Sequence, residues 1–358
     1  MNHYTLQSSY SSEALGIYRY LRPLLFTLPP EKAHQLSLQS LRWVSKLAWG
    51  RQWLSRQFAT VQFHKERQSK LGLSFKNTLG LAAGYDKGAQ ALAGLAALGF
   101  GHIEVGTITL RPQAGNMGTR VKRLPQSSAL VNRMGFPSEG VEIVAQRLEH
   151  YRNQENRLCR HLNQVPMIGI NIGKNKETSN AQAASDYTTL IHRLADLADY
   201  ITINISSPNT PNLRELQDLS PLKILLEAIL TARQQVRSYS QQYLPIILKF
   251  APEFEQASLT DSLNLCATMG VDGVILANTR RVESPLAGGL SGAPLFSQTL
   301  ELIKQAKETT PNLCLIASGG VSSVEQAQTL LEAGADLIQI WTGLIYRGPQ
   351  LITELSAL

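Results

Sequence analysis

Cysteine is scarce. Cys159, Cys266 and Cys314 are the only three in 358 residues, and no two stand in a C-x-x-C spacing. That excludes a disulfide framework and a cysteine-only zinc site, and predicts reduced, buried thiols. No uninterrupted apolar run approaches the roughly 20 residues a helix needs to cross a bilayer. The stretch from Met1 to Glu13 is polar and lacks the basic start and apolar core of a secretory signal. No histidine or acidic cluster has metal-ligand spacing, so no metal is expected, and no G-x-G-x-x-G follows the first candidate strand. The simplest expectation from these absences is a cytoplasmic chain.

What is present is enough to build a core: 43% of the residues are apolar, which excludes wholesale disorder. The length allows one large domain with an appendage or two medium domains. A net charge of +7 suits nucleic acid, an anionic membrane surface or a small anionic substrate, and does not choose among them.

The chain changes character near residue 65, giving an expected head over 1–65 and a main domain over 66–358. In the head, one helix is predicted from Ser12 to Leu25 and a second from Glu31 to Trp49, separated by Leu28-Pro29-Pro30. The second carries Ala33, Leu36, Ser37, Ser40, Leu41, Val44 and Leu47 or Ala48 at helical spacing. Dense tryptophans (Trp43, Trp49, Trp53) among basic residues suit a membrane interface, and packing on the main domain is the alternative. Beyond Leu79, eight apolar runs read as strands: Leu79–Ala83, His102–Gly106, Met167–Asn171, Tyr200–Ile205, Ile246–Phe250, Gly273–Ala277, Cys314–Ser318 and Leu337–Trp341. Helical stretches separate them. This α/β alternation fits a (β/α)8 TIM barrel, with a doubly wound sheet as competitor. Leu71–Asn77 predicts a short hairpin strand that could cap the barrel's bottom, and Thr107–Arg133 a long basic loop.

Chemistry in such a barrel sits where the strands end. There the sequence has Ala83-Gly84 with Lys87 beyond, Thr107, Asn171, Asn204 followed by Ser206, Ser207 and Asn209, then Lys249, Asn278-Thr279, Ser318-Gly319-Gly320 and Thr342-Gly343. Lys249 interrupts an apolar strand, so it requires a counter-charge or an electron-rich ligand. Several asparagines suit an amide- or imide-rich ring, because each both donates and accepts. Glycines after strands seven and eight suit a phosphate monoester. His102 reads as a satisfied structural histidine. The residues alone reach a barrel enzyme for a phosphorylated, amide-rich cofactor and a small polar ligand; they do not choose between Ser206 and Ser207.

Several segments together resemble the quinone-dependent dihydroorotate dehydrogenases. They are Phe75–Gly84, Asn132-Arg133-Met134-Gly135-Phe136, Gly169–Asn175, Asn204-Ile205-Ser206-Ser207-Pro208-Asn209-Thr210-Pro211, Gly288–Gly292 and Ser318–Gly320. The resemblance implies oxidation of dihydroorotate to orotate on FMN, in pyrimidine biosynthesis, with a membrane quinone as final acceptor. It implies Ser207 as catalytic base and Lys87, Asn132, Arg133, Met134, Gly135, Phe136, Asn204, Asn209, Asn278 and Thr279 around the substrate. It implies Ala83, Gly84, Thr107, Asn171, Asn204, Lys249, Ala277, Gly292, Gly320, Trp341 and Thr342 around FMN, with Lys249 beside the ring where positive charge favours its reduced form. The head, through Leu24-Leu25-Phe26 and Pro30–His34, resembles a two-helix quinone tunnel resting on the membrane, with His34 and Arg123 as its polar groups. The expected partners are anionic lipid, the quinone and the substrate, with no nucleic acid, for a monomer peripheral to the cytoplasmic side of a bacterial cell membrane.

Four departures from the family pattern stand out. Tyr85 takes the place of a leucine before Asp86-Lys87, Ala277 that of a threonine, and Trp341 that of a tyrosine near the quinone side. The loop from Arg280-Arg281 to Gly288 is shorter than usual.

Overall fold

The computed structural model describes residues 16, 18–59, 67–68, 71–162, 165–240, 243–254 and 256–358. The Met1–Glu13 opening, the start of the first expected helix, the 65/66 boundary and the side chain of Cys159 lie outside the described residues. Cys266 and Cys314 are buried free thiols, as expected.

Eight parallel strands close into a barrel in chain order: β1 (Leu79–Leu81), β2 (His102–Ile108), β3 (Met167–Ile172), β4 (Tyr200–Asn204), β5 (Ile246–Lys249), β6 (Gly273–Leu276), β7 (Cys314–Ser318) and β8 (Leu337–Ile340). All eight expected strands are present, which rules out the doubly wound sheet. They read as apolar runs because one face packs against the outer helices and the other fills the barrel. The helix after β1 starts only at Leu92, eleven residues beyond the strand's last residue Leu81. Asp86 explains the delay: its carboxylate accepts from the backbone N–H groups of Gln90 and Ala91, each at 2.8 Å, and holds the segment as a loop.

The barrel's floor is apolar. Ser74–Phe75 pairs antiparallel with Arg67–Gln68, and Leu71 and Phe75 pack against Tyr200, Ile247, Ile275, Cys314, Ile316 and Leu337. The capping hairpin is therefore where it was expected. His102 differs from expectation: it is fully buried beside the Phe75 and Tyr200 rings, and neither ring nitrogen has a hydrogen-bond partner among the described residues. Burial pushes its pKa down to about 3, so it stays neutral. Glycines make the room. A Cβ at Gly80 would lie 1.9 Å from the His102 ring, and one at Gly169 would lie 2.1 Å from the Tyr200 ring.

Above the strand ends, the expected loops are ordered differently. Val121–Leu124, Ala129–Asn132, Gly288–Gly292 and Arg280–Val282 form a four-stranded antiparallel sheet. Its two halves are more than 140 residues apart in sequence, and their pairing carries no local hydrophobic period to announce it.

The head has three helices where two were expected: α1 (Tyr18–Thr27), α2 (Pro30–Lys46) and α3 (Ala48–Phe58). The second expected helix breaks at Leu47, which is extended at φ −96°, ψ 140°. Arg51 closes the break by donating to the carbonyls of Ser45 (2.6 Å) and Lys46 (3.2 Å). Gly50 packs on the Val44 carbonyl where a Cβ would clash at 2.0 Å. Leu38, Leu41, Val44, Leu54 and Phe58 pack on the barrel's hydrophobic core. The expected stripe is therefore only half right, because Leu36, Ser40 and Leu47 are exposed, the first two along a cavity. Tyr18 donates to the Ile345 carbonyl (2.7 Å), Arg22 to that of Tyr346 (3.0 Å), and Arg120 pairs with Glu31, so the head is tied to the barrel's top. Tyr20, Leu21, Leu24, Trp43, Leu47, Trp49 and Trp53 remain exposed, Leu21 and Trp53 of them along a cavity.

Candidate active site

One cavity of about 960 Å³ runs from between the head helices down to the barrel's C-terminal mouth. Its floor is formed by the strand ends, its roof by the antiparallel sheet, and its outer end by α1 and α2. Of the residues expected around a substrate and a cofactor, all but Arg133 and Asn171 line it. Arg133 lies in the strap between Asn132 and Met134; its backbone N–H donates to the Arg120 carbonyl at 2.7 Å. Asn171 is fully buried one step beneath the floor.

That buried step is a polar network. The Thr107 hydroxyl donates to Asn171 Oδ1 (2.6 Å), and Asn204 Nδ2 donates to both Thr107 Oγ1 and Asn171 Oδ1 (3.0 Å each). Asn171 Nδ2 then donates to Glu104 Oε1 (2.8 Å), whose other oxygen accepts from Thr202 (3.1 Å) and Gln339 (2.9 Å). Glu104, Thr202 and Gln339 were not expected at the site. The signal was available: Glu104 interrupts an apolar strand as plainly as Lys249 does. Lys249 forms no contact ion pair and no hydrogen bond with another described residue. Burial pushes its pKa down, and Glu104 opposes that.

The two serines part company here. Ser206 is fully buried; its hydroxyl donates to Asn204 Oδ1 (2.9 Å) and accepts from Asn278 Nδ2 (2.8 Å). Ser207 instead lines the cavity, and its oxygen accepts from the Asn209 backbone N–H at 3.2 Å. Asn209 Nδ2 donates to Asn132 at both its carbonyl and its Oδ1, 3.2 Å each, which joins the β4 loop to the roof. Arg214 ties the same corner together by donating to the carbonyls of Ser206 and Thr279, each at 3.0 Å. Lys87 lines the cavity on the β1 side. Burial first, then Arg120, push its pKa down to about 8, against the pull of Glu31.

Toward the head, Tyr85 reaches α2, its hydroxyl 2.7 Å from that of Ser37. His34 meets the Tyr85 ring edge-on at 4.9 Å, and Trp341 lies 6.4 Å from both rings. Burial, aided by Lys87, pushes His34 down to about 4 and leaves it neutral at pH 7. Arg123 stacks on Phe26 and donates to the carbonyls of Leu28 (2.7 Å) and Phe26 (3.2 Å), so its guanidinium caps α1.

A flat, polar-edged cofactor fits these groups. At Gly84 a Cβ would project into open cavity, with nothing nearer than Trp341 Nε1 at 3.8 Å. Lys249 lines the cavity, and the buried Trp341 indole N–H has no hydrogen-bond partner among the described residues. Gly319 and Gly320, at φ +144° and +81°, turn the backbone at the β7 end beside Thr342 and Gly343, in the place where such barrels bind phosphate.

The family model described as dihydroorotate dehydrogenase matches residues 67–357. A "dihydroorotate dehydrogenase (quinone)" of Dichelobacter nodosus is 43% identical over 94% of this chain and 96% of its own length. One of the same name from Acidithiobacillus ferrooxidans is 43% identical over 94% and 93%. Among solved structures, DHODH of Eimeria tenella in complex with ferulenol superposes with a TM-score of 0.78 at 31% identity, covering 93% of each chain. A ligand-free structure from the same organism gives 0.73 at 33% identity, covering 88% of this chain and 92% of that one. With a family model spanning the whole barrel and relatives of the quinone type matching through the head, this chain belongs to the dihydroorotate dehydrogenase family.

Proposed function

We propose that the chain oxidises (S)-dihydroorotate to orotate on FMN and returns the electrons to a membrane quinone, in the formation of pyrimidines. The observation that carries this is one cavity that gathers the Ser207 hydroxyl, four asparagines and two lysines at one end and opens between amphipathic helices at the other. FMN, when bound, supplies the two-electron acceptor.

The remaining chemistry belongs to the chain. Lys87 pairs its ammonium with the substrate carboxylate, and Asn132, Asn209 and Asn278 read the cyclic ureide edge, each able to donate and accept. Thr279 closes the same side. Met134, Gly135 and Phe136, with Arg133 behind them, form the wall that excludes water. The Ser207 oxygen takes the proton from C5 while the C6 hydrogen departs with its electron pair, leaving the C5–C6 double bond of orotate. A hydroxyl is a weak base, so Ser207 must pass its own proton along a relay to solvent as it takes the one from C5, and the Asn209 N–H that points at Oγ favours the alkoxide character this needs. Ala83, Gly84, Thr107, Asn204, Ala277, Gly292, Gly320, Trp341 and Thr342 hold the cofactor, with Asn171 acting from below and Lys249 supplying positive charge at the ring. His34 and Arg123 line the quinone's route.

Among the described residues no helix is long and apolar enough to cross a membrane. The exposed Trp43, Leu47, Trp49 and Trp53, with basic Arg42, Lys46 and Arg56 also exposed, suit a peripheral seat on anionic lipid at the cytoplasmic face. An anaerobic titration tests the whole reading. L-dihydroorotate should bleach the visible flavin band, and a short-chain ubiquinone should restore it. A flavin that does not respond to dihydroorotate overturns the substrate, and bleaching without recovery overturns the acceptor.

A further inference from the structure

Among the described residues of the barrel strands, Lys249 and Glu104 are the two buried charged side chains, and the reaction proposed above uses only the first. Glu104 is fully buried on β2. Both its oxygens accept hydrogen bonds, from Asn171, Thr202 and Gln339, three neutral donors on β3, β4 and β8. Neutral donors solvate a carboxylate but do not cancel its charge. The groups facing it leave one candidate for that task. Tyr200 on β4 is a phenol held well above its ordinary pKa by burial and by Glu104 itself. His102, two residues earlier on β2, stays neutral, and Cys314 on β7 lies in the apolar floor. Lys87 on the β1 side answers to Arg120 and Glu31. Lys249 on β5 is the buried cation that Glu104 favours electrostatically, against the effect of burial. The two do not touch. Asn171 and Asn204 stand between, Asn171 bound to Glu104 and Asn204 paired in register with Lys249.

We propose that Glu104 is a positioning residue: it is the counter-charge that keeps Lys249 protonated beneath the cofactor, and it orients the Asn171–Asn204–Thr107 chain toward the same site. This rests on the flavin reading of the cavity. The arrangement explains why the cation need not be neutralised by a contact partner. A contact ion pair would take the lysine's donors away from the cavity, whereas a counter-charge beyond the amides leaves them free. It also explains the amide orientation. Glu104 can only accept, so Asn171 must present its NH2 downward and its oxygen upward, and that oxygen receives the Thr107 hydroxyl and the Asn204 amide.

The experiment is a midpoint-potential titration of the holoenzyme flavin from acid to alkaline pH, by a chemical reductant, on wild type, E104Q, E104D and T202V. It needs no turnover. Whether dihydroorotate reduces the wild-type flavin is read on the same samples, so failure of the flavin reading is seen separately. The break in the potential–pH profile that reports Lys249 should move at least tenfold in proton affinity toward acid in E104Q. It should stay near the wild-type position in E104D, which keeps the charge, and in T202V, which removes one hydrogen bond only. A break that does not move in E104Q, or moves as far in T202V, overturns the proposal. If E104Q binds no flavin, thermal unfolding of the full chain decides. E104Q should cost less stability in a K249M background than in wild type, and an equal cost in both overturns the coupling.

Discussion

The Ser206 hydroxyl donates to Asn204 and accepts from Asn278, whereas the Ser207 hydroxyl, one residue on, opens into the cavity. Adjacent side chains here point to different sides, so Ser206 belongs to the wall and Ser207 is the one placed for the proposed reaction. Ser207→Ala should lower kcat by about 10²–10⁴-fold, the range of a lost general base, with orotate affinity and the flavin spectrum kept. Ser206→Ala should do the reverse. It leaves the Asn278 amide without its acceptor, so it should cost about 1–3 kcal/mol of stability and raise KM, with a small effect on kcat. Stopped-flow flavin reduction and urea unfolding on the two variants separate the roles; equal losses of kcat would reject the assignment.

Lys87 gives the site a pH dependence of known sign. Its pKa is pushed down to about 8, so the ammonium is present below that pH and lost above it. Orotate binding to the oxidised holoenzyme involves no chemistry and should weaken as pH rises through about 8, by up to tenfold per unit. Glu31 is the group that holds the charge on Lys87, so Glu31→Gln should move the fall toward lower pH, and Lys87→Arg should move it out of range. Calorimetric titration at several pH values measures this. An affinity flat from pH 7 to 9.5 would show that Lys87 does not face the carboxylate.

The barrel was legible in the sequence because each parallel strand is a short apolar run bounded by a polar stop, and the stops sit where chemistry is done. Asn204, Lys249 and Asn278 announced themselves that way, being polar where propensity asks for branched apolar residues. The roofing sheet was not legible: Ala129–Asn132 finds Gly289–Gly292 across the fold, and register over that distance is set by tertiary packing. The third head helix was hidden because Leu47 and Ala48 continue the helical period through the break, which depends on a side chain, Arg51, reaching back. Glu104 was missed for a different reason. It lies inside its strand and not at the end, and although an acid in an apolar run is visible in the sequence, its partners on three other strands are not.

Tyr85, one of the departures from the family pattern, is a fastener between barrel and head. Its hydroxyl is 2.7 Å from that of Ser37 on α2, and its ring is buried against His34. Tyr85→Phe keeps the ring and removes the bond, so it should loosen α2 by about 1 kcal/mol. Hydrogen exchange should show faster opening across 30–46 and unchanged protection in the barrel strands. Tyr85→Leu, which restores the family's residue, should loosen the same segment further, because the contact with His34 is lost as well. Protection of α2 equal to wild type in both variants would mean that Tyr85 is not a fastener and that the other head–barrel contacts suffice.

The head buries one face and leaves a second apolar face outside, and the outer face predicts a lipid partner that a purely structural head would not need. Trp43 is 67% exposed, Leu47 53% and Trp49 66%, and Lys46 lies 4.0 Å above the Trp43 ring, an arrangement of indole and ammonium suited to the headgroup level. Replacing Trp43, Leu47 and Trp49 together by serine touches none of the residues that pack on the barrel. The triple variant should keep its unfolding temperature, its orotate affinity and its rate with a water-soluble quinone. It should lose at least tenfold in co-sedimentation with phosphatidylglycerol-containing vesicles, since each indole withdrawn from the interface forfeits on the order of 1–3 kcal/mol of apolar burial. The rate with a long-chain quinone held in those vesicles should fall in step. Wild-type binding should weaken with added salt and with neutral lipid, as the basic rim requires. If the variant sediments with vesicles as wild type does, the exposed tryptophans are not the membrane contact.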